Sequence, residues 1–245
     1  VLFLFKKPKL VIDCFTNRSD VFNFSKIDYA HKFYPEWWKQ TPKSYINNFY
    51  KSSTIKKCRG IIDNYRYGAM VPLWSDLALN VKNKQYQWQF SDFKTKCNIH
   101  PPEQWNTYID PTNYGHLKII SPWYINCKSD TKFYWTIPFW NHAIDIPYHI
   151  IPGMLDFKYN HGININIMIN IQKDFTRTIK AYTPMAHMIP VSDKELIIKH
   201  HLVSNEEFDN LFDNTTFTFT NRYEIHKNNI DKQESKCPFG FLRRK

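Results

Sequence analysis

The chain has 245 residues, 33 Lys and Arg against 22 Asp and Glu, and is 42% hydrophobic and 17% aromatic. That length suits one large domain burying about 70–75% of its unfolded surface, and that composition excludes wholesale disorder. No apolar run approaches the ~20 residues of a spanning helix, so neither a membrane span nor a membrane partner is expected.

The formal charge of +11 invites a nucleic-acid reading, because clustered cations bind phosphate by releasing counterions. Only Arg18, Arg59, Arg66, Arg177, Arg222, Arg243 and Arg244 are arginines, and the lysines are scattered except near the two ends. Abundant Lys, Asn, Ile, Tyr and Phe with little Gly is what an AT-rich genome writes into any protein. A dispersed positive surface is therefore the expectation, with an anion-binding face as the alternative. Cysteines at 14, 58, 97, 127 and 237 are odd in number and lack a C-x-x-C pair. They read as mostly buried free thiols of a reducing compartment rather than a disulfide framework or zinc knuckle. The apolar start is too short for a signal peptide and its lysines follow rather than precede it, which points to the cytoplasm of a cell or an infected cell.

In chain order, residues 2–15 read as one or two strands. Ser25, with Asp28 three positions on, reads as the N-cap of a helix carrying Ile27, Ala30, Phe33 and Tyr34 up to Pro35. Trp37 and Trp38 are adjacent, so one is expected to pack inward and the other to cover a neighbouring segment. Residues 70–81 read as a strand leading through a polar turn at 82–84 into the strictly alternating 86–90, a hairpin signal. Residues 91–114 form a long Pro-rich excursion of the lid or flap kind. Strands resume at 117–127 and 131–137. The clearest period is 162–171, where each odd position from Ile163 to Ile171 is Ile: a strand with one core face and one amide face. Strands at 148–159, 175–182 and 185–191 surround it. Ser204-Asn-Glu-Glu207 is a capping box opening a helix, 215–219 alternates like a strand, and the charged tail is expected to be extended.

Successive short strands predict a mainly β protein, an antiparallel sandwich or jelly roll, or a cupin-like barrel, with a short N-terminal helical extension. The division expected within one domain over 1–245 is an extension over 1–58, a β core over 68–220 and a tail over 221–245.

Several chemistries lack their motifs. No His-x-Asp, His-x-Glu or His-x-His pair occurs among the ten histidines, so no metal site and no cofactor are expected. A barrel enzyme would have to recruit His142, His149 or His187 from separate segments. There is no Gly-x-Ser-x-Gly elbow and no Gly-rich phosphate loop. Asp63, Asp76, Asp145 and Asp156 would have to meet in space to act as paired carboxylates. Trp74, Trp88, Trp105, Trp123, Trp135 and Trp140 either fill the core or offer faces to sugar rings or unstacked bases. Arg59, Asp63 and Arg66, four and three apart, would share one side of a helix as ligand-facing cations or as intra-helix ion pairs.

One resemblance adds to this reading. It rests on Phe33-Tyr-Pro-Glu-Trp-Trp38, Thr54-Ile-Lys-Lys-Cys-Arg-Gly-Ile-Ile-Asp63, Gly68-Ala-Met-Val-Pro-Leu-Trp-Ser-Asp76, Gly153-Met-Leu-Asp156 and Lys180-Ala-Tyr-Thr-Pro-Met-Ala-His-Met-Ile-Pro190. Across residues 30–195 this series resembles a family of uncharacterised proteins from tailed phages of marine bacteria, with distant bacterial relatives of unknown function. The resemblance implies a phage-like origin and a mostly β fold, and no activity. Its members tend to carry Gly before the Thr-Pro pair, where this chain has Tyr182, so a different turn is expected there.

The function expected is a non-enzymatic phage protein, either a virion component or a partner- or glycan-binding module, in the virion or the host cytoplasm. The alternatives are a metal-dependent oxygenase or other small-molecule enzyme on a cupin-like barrel, and a nucleic-acid-binding protein. Other virion or host proteins are the expected partners, in an oligomer, with an anionic ligand or nucleic acid as further candidates. The residues singled out for ligand binding are Arg59, Asp63, Arg66, Trp74, Asp76, Trp88, Asp156 and His187.

Overall fold

A computed structural model describes residues 7–106, 108–213 and 222–235. From the N-terminus the chain forms strand β1 (Lys9–Thr16), helix α1 (Ser19–Phe24), β2 (Asp28–Tyr29), α2 (Glu36–Gln40), a hairpin of β3 (Ser44–Asn47) and β4 (Tyr50–Ser53), and α3 (Arg59–Arg66). The middle is β5 (Ala69–Pro72), β6 (Leu77–Lys82), β7 (Gln85–Phe90), β8 (Cys97–Ile99), β9 (Tyr114–Asn126) and β10 (Phe133–Thr136). There follow β11 (Tyr148–Ile150), β12 (Gly153–Leu155), β13 (Gly162–Asn170), β14 (Phe175–Ile179), β15 (Pro184–Pro190), β16 (Glu195–Leu202), α4 (Asn205–Asp213) and α5 (Arg222–Ser235). Strands take 42% of the residues and helices 22%, so the protein is mainly β.

Two sheets form a sandwich. One runs β11-β13-β9-β1-β16, with β8 also on β9; the other runs β12-β10-β15-β5-β2. Neither path closes on itself, so the cupin-like barrel is not formed among the described residues. A three-stranded sheet, β14-β6-β7, packs into the same core.

The alternation that marks β13 explains its place. Ile163, Ile165, Ile167 and Ile169 are buried, while Asn164, Asn166 and Asn170 stay half-buried. Each such Ile contributes about 1.5–3 kcal/mol by burial. The same period runs through β9, where Leu117, Ile119, Trp123 and Ile125 face the core. Strand β5 is buried on both faces: Ala69 and Val71 join the main core, and Met70 packs instead with Ala30, Phe33, Trp38, Ile61 and Tyr65. The 30–33 turn, α2 and α3 thus form a third layer on the outer face of the second sheet, while α1 packs against β1 and β16.

Several elements differ from expectation. Ser25 ends α1 rather than starting a helix, and its amide donates to Val21 O. Asp28 bonds its own neighbour's amide (Tyr29 N, 2.8 Å) and Lys32, a local alternative that competes with helix at that point. Residues 70–81 and 148–159 each split between two sheets. β1 lies inside the main sheet, between β9 and a parallel β16, so the core begins at Lys9 instead of residue 68. That pairing joins residues about 190 positions apart, and no local pattern encodes it. The tail is helical over Arg222–Ser235 rather than extended; Tyr159 OH donates to Asp231 Oδ1 at 2.7 Å, docking it. The strand expected at 215–219 lies outside the described residues.

Other expectations hold. The capping box forms, with Glu207 N donating to Ser204 Oγ and Ser204 N to Glu207 Oε2. Trp38 is buried, while Trp37 covers the neighbouring segment through an indole bond to Trp140 O. The different turn expected at Tyr182 is the exception: the residue takes the left-handed conformation open to a glycine, at φ 68°. Cys14 and Cys127 are buried and Cys97 half-buried, whereas Cys58 is exposed. Among the described residues no helix is long and apolar enough to cross a membrane.

Candidate functional site

A cleft of about 450 Å³ opens where β7, the 91–114 excursion and the start of β9 converge. The turn before β7 puts Asn83 and Lys84 at φ 52° and 61°, the left-handed pair that suits a tight hairpin. Alternation along β7 then turns Tyr86, Trp88 and Phe90 inward and leaves Gln85, Gln87 and Gln89 exposed. The Tyr86 ring lies directly over Gly115, where a Cβ would sit 2.2 Å from a ring carbon. Glycine at 115 therefore makes room for one wall of the cleft.

The excursion supplies the opposite wall. β8 pairs with β9 at Leu117–Ile119, and His100 N donates to His116 O. The Pro101-Pro102 pair opens a short 3-10 helix, Pro102–Trp105. That turn aims the Trp105 indole N–H at His116 Nδ1, 3.1 Å away. Asp110 closes the loop by accepting from Thr112 N, Thr112 Oγ1 and Asn113 Nδ2; these bonds, led by the Thr112 hydroxyl, hold its carboxyl below the usual range. The excursion is thus a braced wall rather than a loose flap.

His116 forms the floor. It is buried, stacks on His100 at 4.3 Å between centroids, and has Asn166 Oδ1 3.3 Å from Nε2. Burial first, then the neighbouring His100, pushes its pKa down to about 4. The ring is therefore neutral near pH 7, with Nδ1 accepting from Trp105 and Nε2–H donating to Asn166. Both nitrogens are engaged, which suits a fixed aromatic surface better than a proton carrier. Tyr114, Ile99 and Met168 complete the apolar lining; Gln85, Gln87 and Lys84 stand at it from the β7 side, and among the described residues no carboxylate lines the cleft.

None of the eight residues singled out for ligand binding lines this cleft. Arg59 and Arg66 pair with Asp63 along α3 at 3.9 and 3.3 Å, so the ion-pair reading of this trio is the one observed. Trp74 is buried, its indole donating to Thr95 Oγ1. Asp76 accepts from Lys180 Nζ and Ala181 N, both at 2.8 Å, and these bonds lower its pKa. Trp88 packs on the main core beside Tyr86. Asp156 holds a turn through Lys158 N. His187 is buried under the helical layer with Nε2–H donating to Tyr67 O at 2.8 Å.

The carboxylates do not meet: Asp63 pairs within α3, Asp76 ties the turn before β6 to Lys180 and Ala181, Asp156 holds its own turn, and Asp145 is exposed elsewhere. His142 bonds Tyr148 OH, and His149 is exposed on β11. Among the described residues no three His, Cys, Asp or Glu side chains gather as a metal site would require. Trp123 and Trp135 are buried, so the tryptophans mostly fill the core; Trp105 alone of the six lines the cleft. The available signal was Gly115 between Tyr114 and His116, following a Pro-rich excursion with its own His and Trp. No protein-family model matches this chain, and no curated protein matches its sequence.

Proposed function

We propose that this protein is a non-enzymatic binding module whose cleft takes a sugar ring. One observation carries the reading: a recess of small-molecule size, walled by Tyr86, Trp105 and Tyr114 over a neutral His116, has amide side chains and one lysine at its side and, among the described residues, no carboxylate. Aromatic faces pack on the apolar face of a pyranose, and Gln85 and Gln87 can both donate to and accept from its hydroxyls. Lys84 favours a sugar bearing a carboxylate, sulfate or phosphate over a neutral one.

The resemblance to marine-phage proteins supports placing such a module in a virion or an infected cell, where glycans of a host surface are natural ligands. The rival enzyme reading needs a group free to move a proton at the cleft floor, and His116 has both nitrogens committed. The test is a screen of the full chain against neutral and acidic glycans, followed by titration of any hit with Trp105→Ala. Saturable binding weakened by at least about tenfold in the variant supports the reading. No hit, or a hit indifferent to Trp105→Ala, contradicts it.

A further inference from the structure

The β3–β4 hairpin stands apart from both cores. Its strands pair from Ser44↔Ser53 to Asn47↔Tyr50, and Asn48 and Phe49 form the tip at φ 45° and 75°. This turn matches the twist of a hairpin, and its second position is normally glycine. Phenylalanine there incurs a backbone penalty and leaves its ring wholly in water, at 100% exposure. Ile46 and Tyr50 beside it are 80% and 78% exposed. Two independent penalties fall on one residue, and hairpin stability explains neither.

The apolar groups surround the tip instead of forming one flat face. Ile46 shares a side of the ribbon with Lys51, and Tyr45 and Tyr50 share the other. Behind the tip Lys43, Lys51 and Lys57 are exposed, and residues 42–58 contain no Asp or Glu. The base is firmly rooted: Thr54 N donates to Lys43 O, and Lys56 Nζ to Trp38 O and Lys39 O.

We propose that this hairpin docks the protein on an anionic lipid bilayer. Phe49 leads into the acyl boundary, Tyr50 and Ile46 follow at its edge, and Tyr45 sits at headgroup level, while Lys51, opposite Ile46, snorkels back with Lys43 and Lys57 toward the lipid phosphates. From the tip inward come Phe49, then Tyr50 opposite Asn47, then Ile46 opposite Lys51 and Tyr45 opposite Ser52, so apolar and aromatic side chains lead and the lysines lie behind or beside them with no acid to oppose an anionic surface. A protein socket would have to enclose a wedge from all sides. Single-stranded nucleic acid would use the tyrosines but leaves Ile46 and the tip unexplained. The contact is with the surface of the membrane, not across it, and departs from the expectation of no membrane partner.

The test is flotation of the full chain with phosphatidylcholine vesicles containing roughly one-third phosphatidylglycerol, alongside Phe49→Gly and Ile46→Ser. Phe49→Gly suits the turn, so its thermal midpoint is expected to equal or exceed that of the parent, which separates docking from folding. Expected is partition to anionic vesicles that falls about tenfold or more in each variant. Three outcomes would overturn the proposal: no partition; partition equal in parent and variants, as general adhesion of a +11 chain would give; or vesicle-independent binding to an oligonucleotide, or self-association, that the variants abolish.

Discussion

The interface between the second sheet and the helical layer and the cleft beside β7 are built from the same kinds of residue. Each has a buried histidine, tyrosines and a tryptophan. At the first, His187 is buried with Nε2–H donating to Tyr67 O, and its cross-strand partner Met70 packs with Tyr65, Trp38 and Phe33 of the helical layer. At the second, His116 has a comparable set of rings around it, but β7 has β6 as its one strand partner among the described residues, and the space above remains open. Aromatic content does not distinguish core from site here; a covering element does. The sealed region should answer to mutation through stability, and the open one through ligand binding.

The largest effect belongs to the sealed side. Gly68 sits at φ 78°, and a Cβ there would lie 2.3 Å from Met188 O, a backbone atom that cannot swing away. Gly68→Ala is expected to cost about 3 kcal/mol or more, read as a fall in the urea midpoint, with any loss of ligand explained by unfolding alone.

Acid should come next. His116 and His142 have folded pKa values of about 4, below the ordinary value near 6.5. The unfolded chain therefore takes up protons first as pH falls. Stability is fully present above pH ~6.5 and is lost between there and about 4, on the order of 3 kcal/mol for His116. Burial lowers His187 in the same direction. Urea denaturation at stepped pH checks this, and His116→Gln should flatten part of the slope.

Gly115→Ala sharpens the comparison, because the clash is with the movable Tyr86 ring. It is expected to cost about 1–2 kcal/mol in stability while abolishing glycan binding. Smallest of all, Arg59→Ala with Arg66→Ala removes exposed intra-helix pairs on α3 and should change stability by less than about 1 kcal/mol and glycan binding not at all.

Much of the fold was legible in the chain. The Ile period of β13, the alternation of β7 and the Ser204–Glu207 box are local patterns, and they survive because nothing tertiary opposes them. The parallel pairing of β1 with β16 was not legible, since it depends on contacts almost the whole chain apart. The splits within 70–81 and 148–159 were hidden because a strand that changes sheets keeps its apolar content. The site was less legible still. Trp74 and His187 have the residue types of a site but are buried, and Trp88 packs half-buried on the core, because covering comes from other elements. Gly115 carried the one local signal, a residue whose lack of a side chain admits a neighbouring ring.

The most direct test follows the indole N–H resonances by two-dimensional NMR while an acidic pyranoside is titrated into the full chain. One indole, Trp105, is expected to shift and saturate, with Trp74, Trp123 and Trp135 unmoved in the core. Saturable shifts confined to other indoles, or no shift at Trp105 under a ligand that binds, would contradict the claim that this cleft is the binding site.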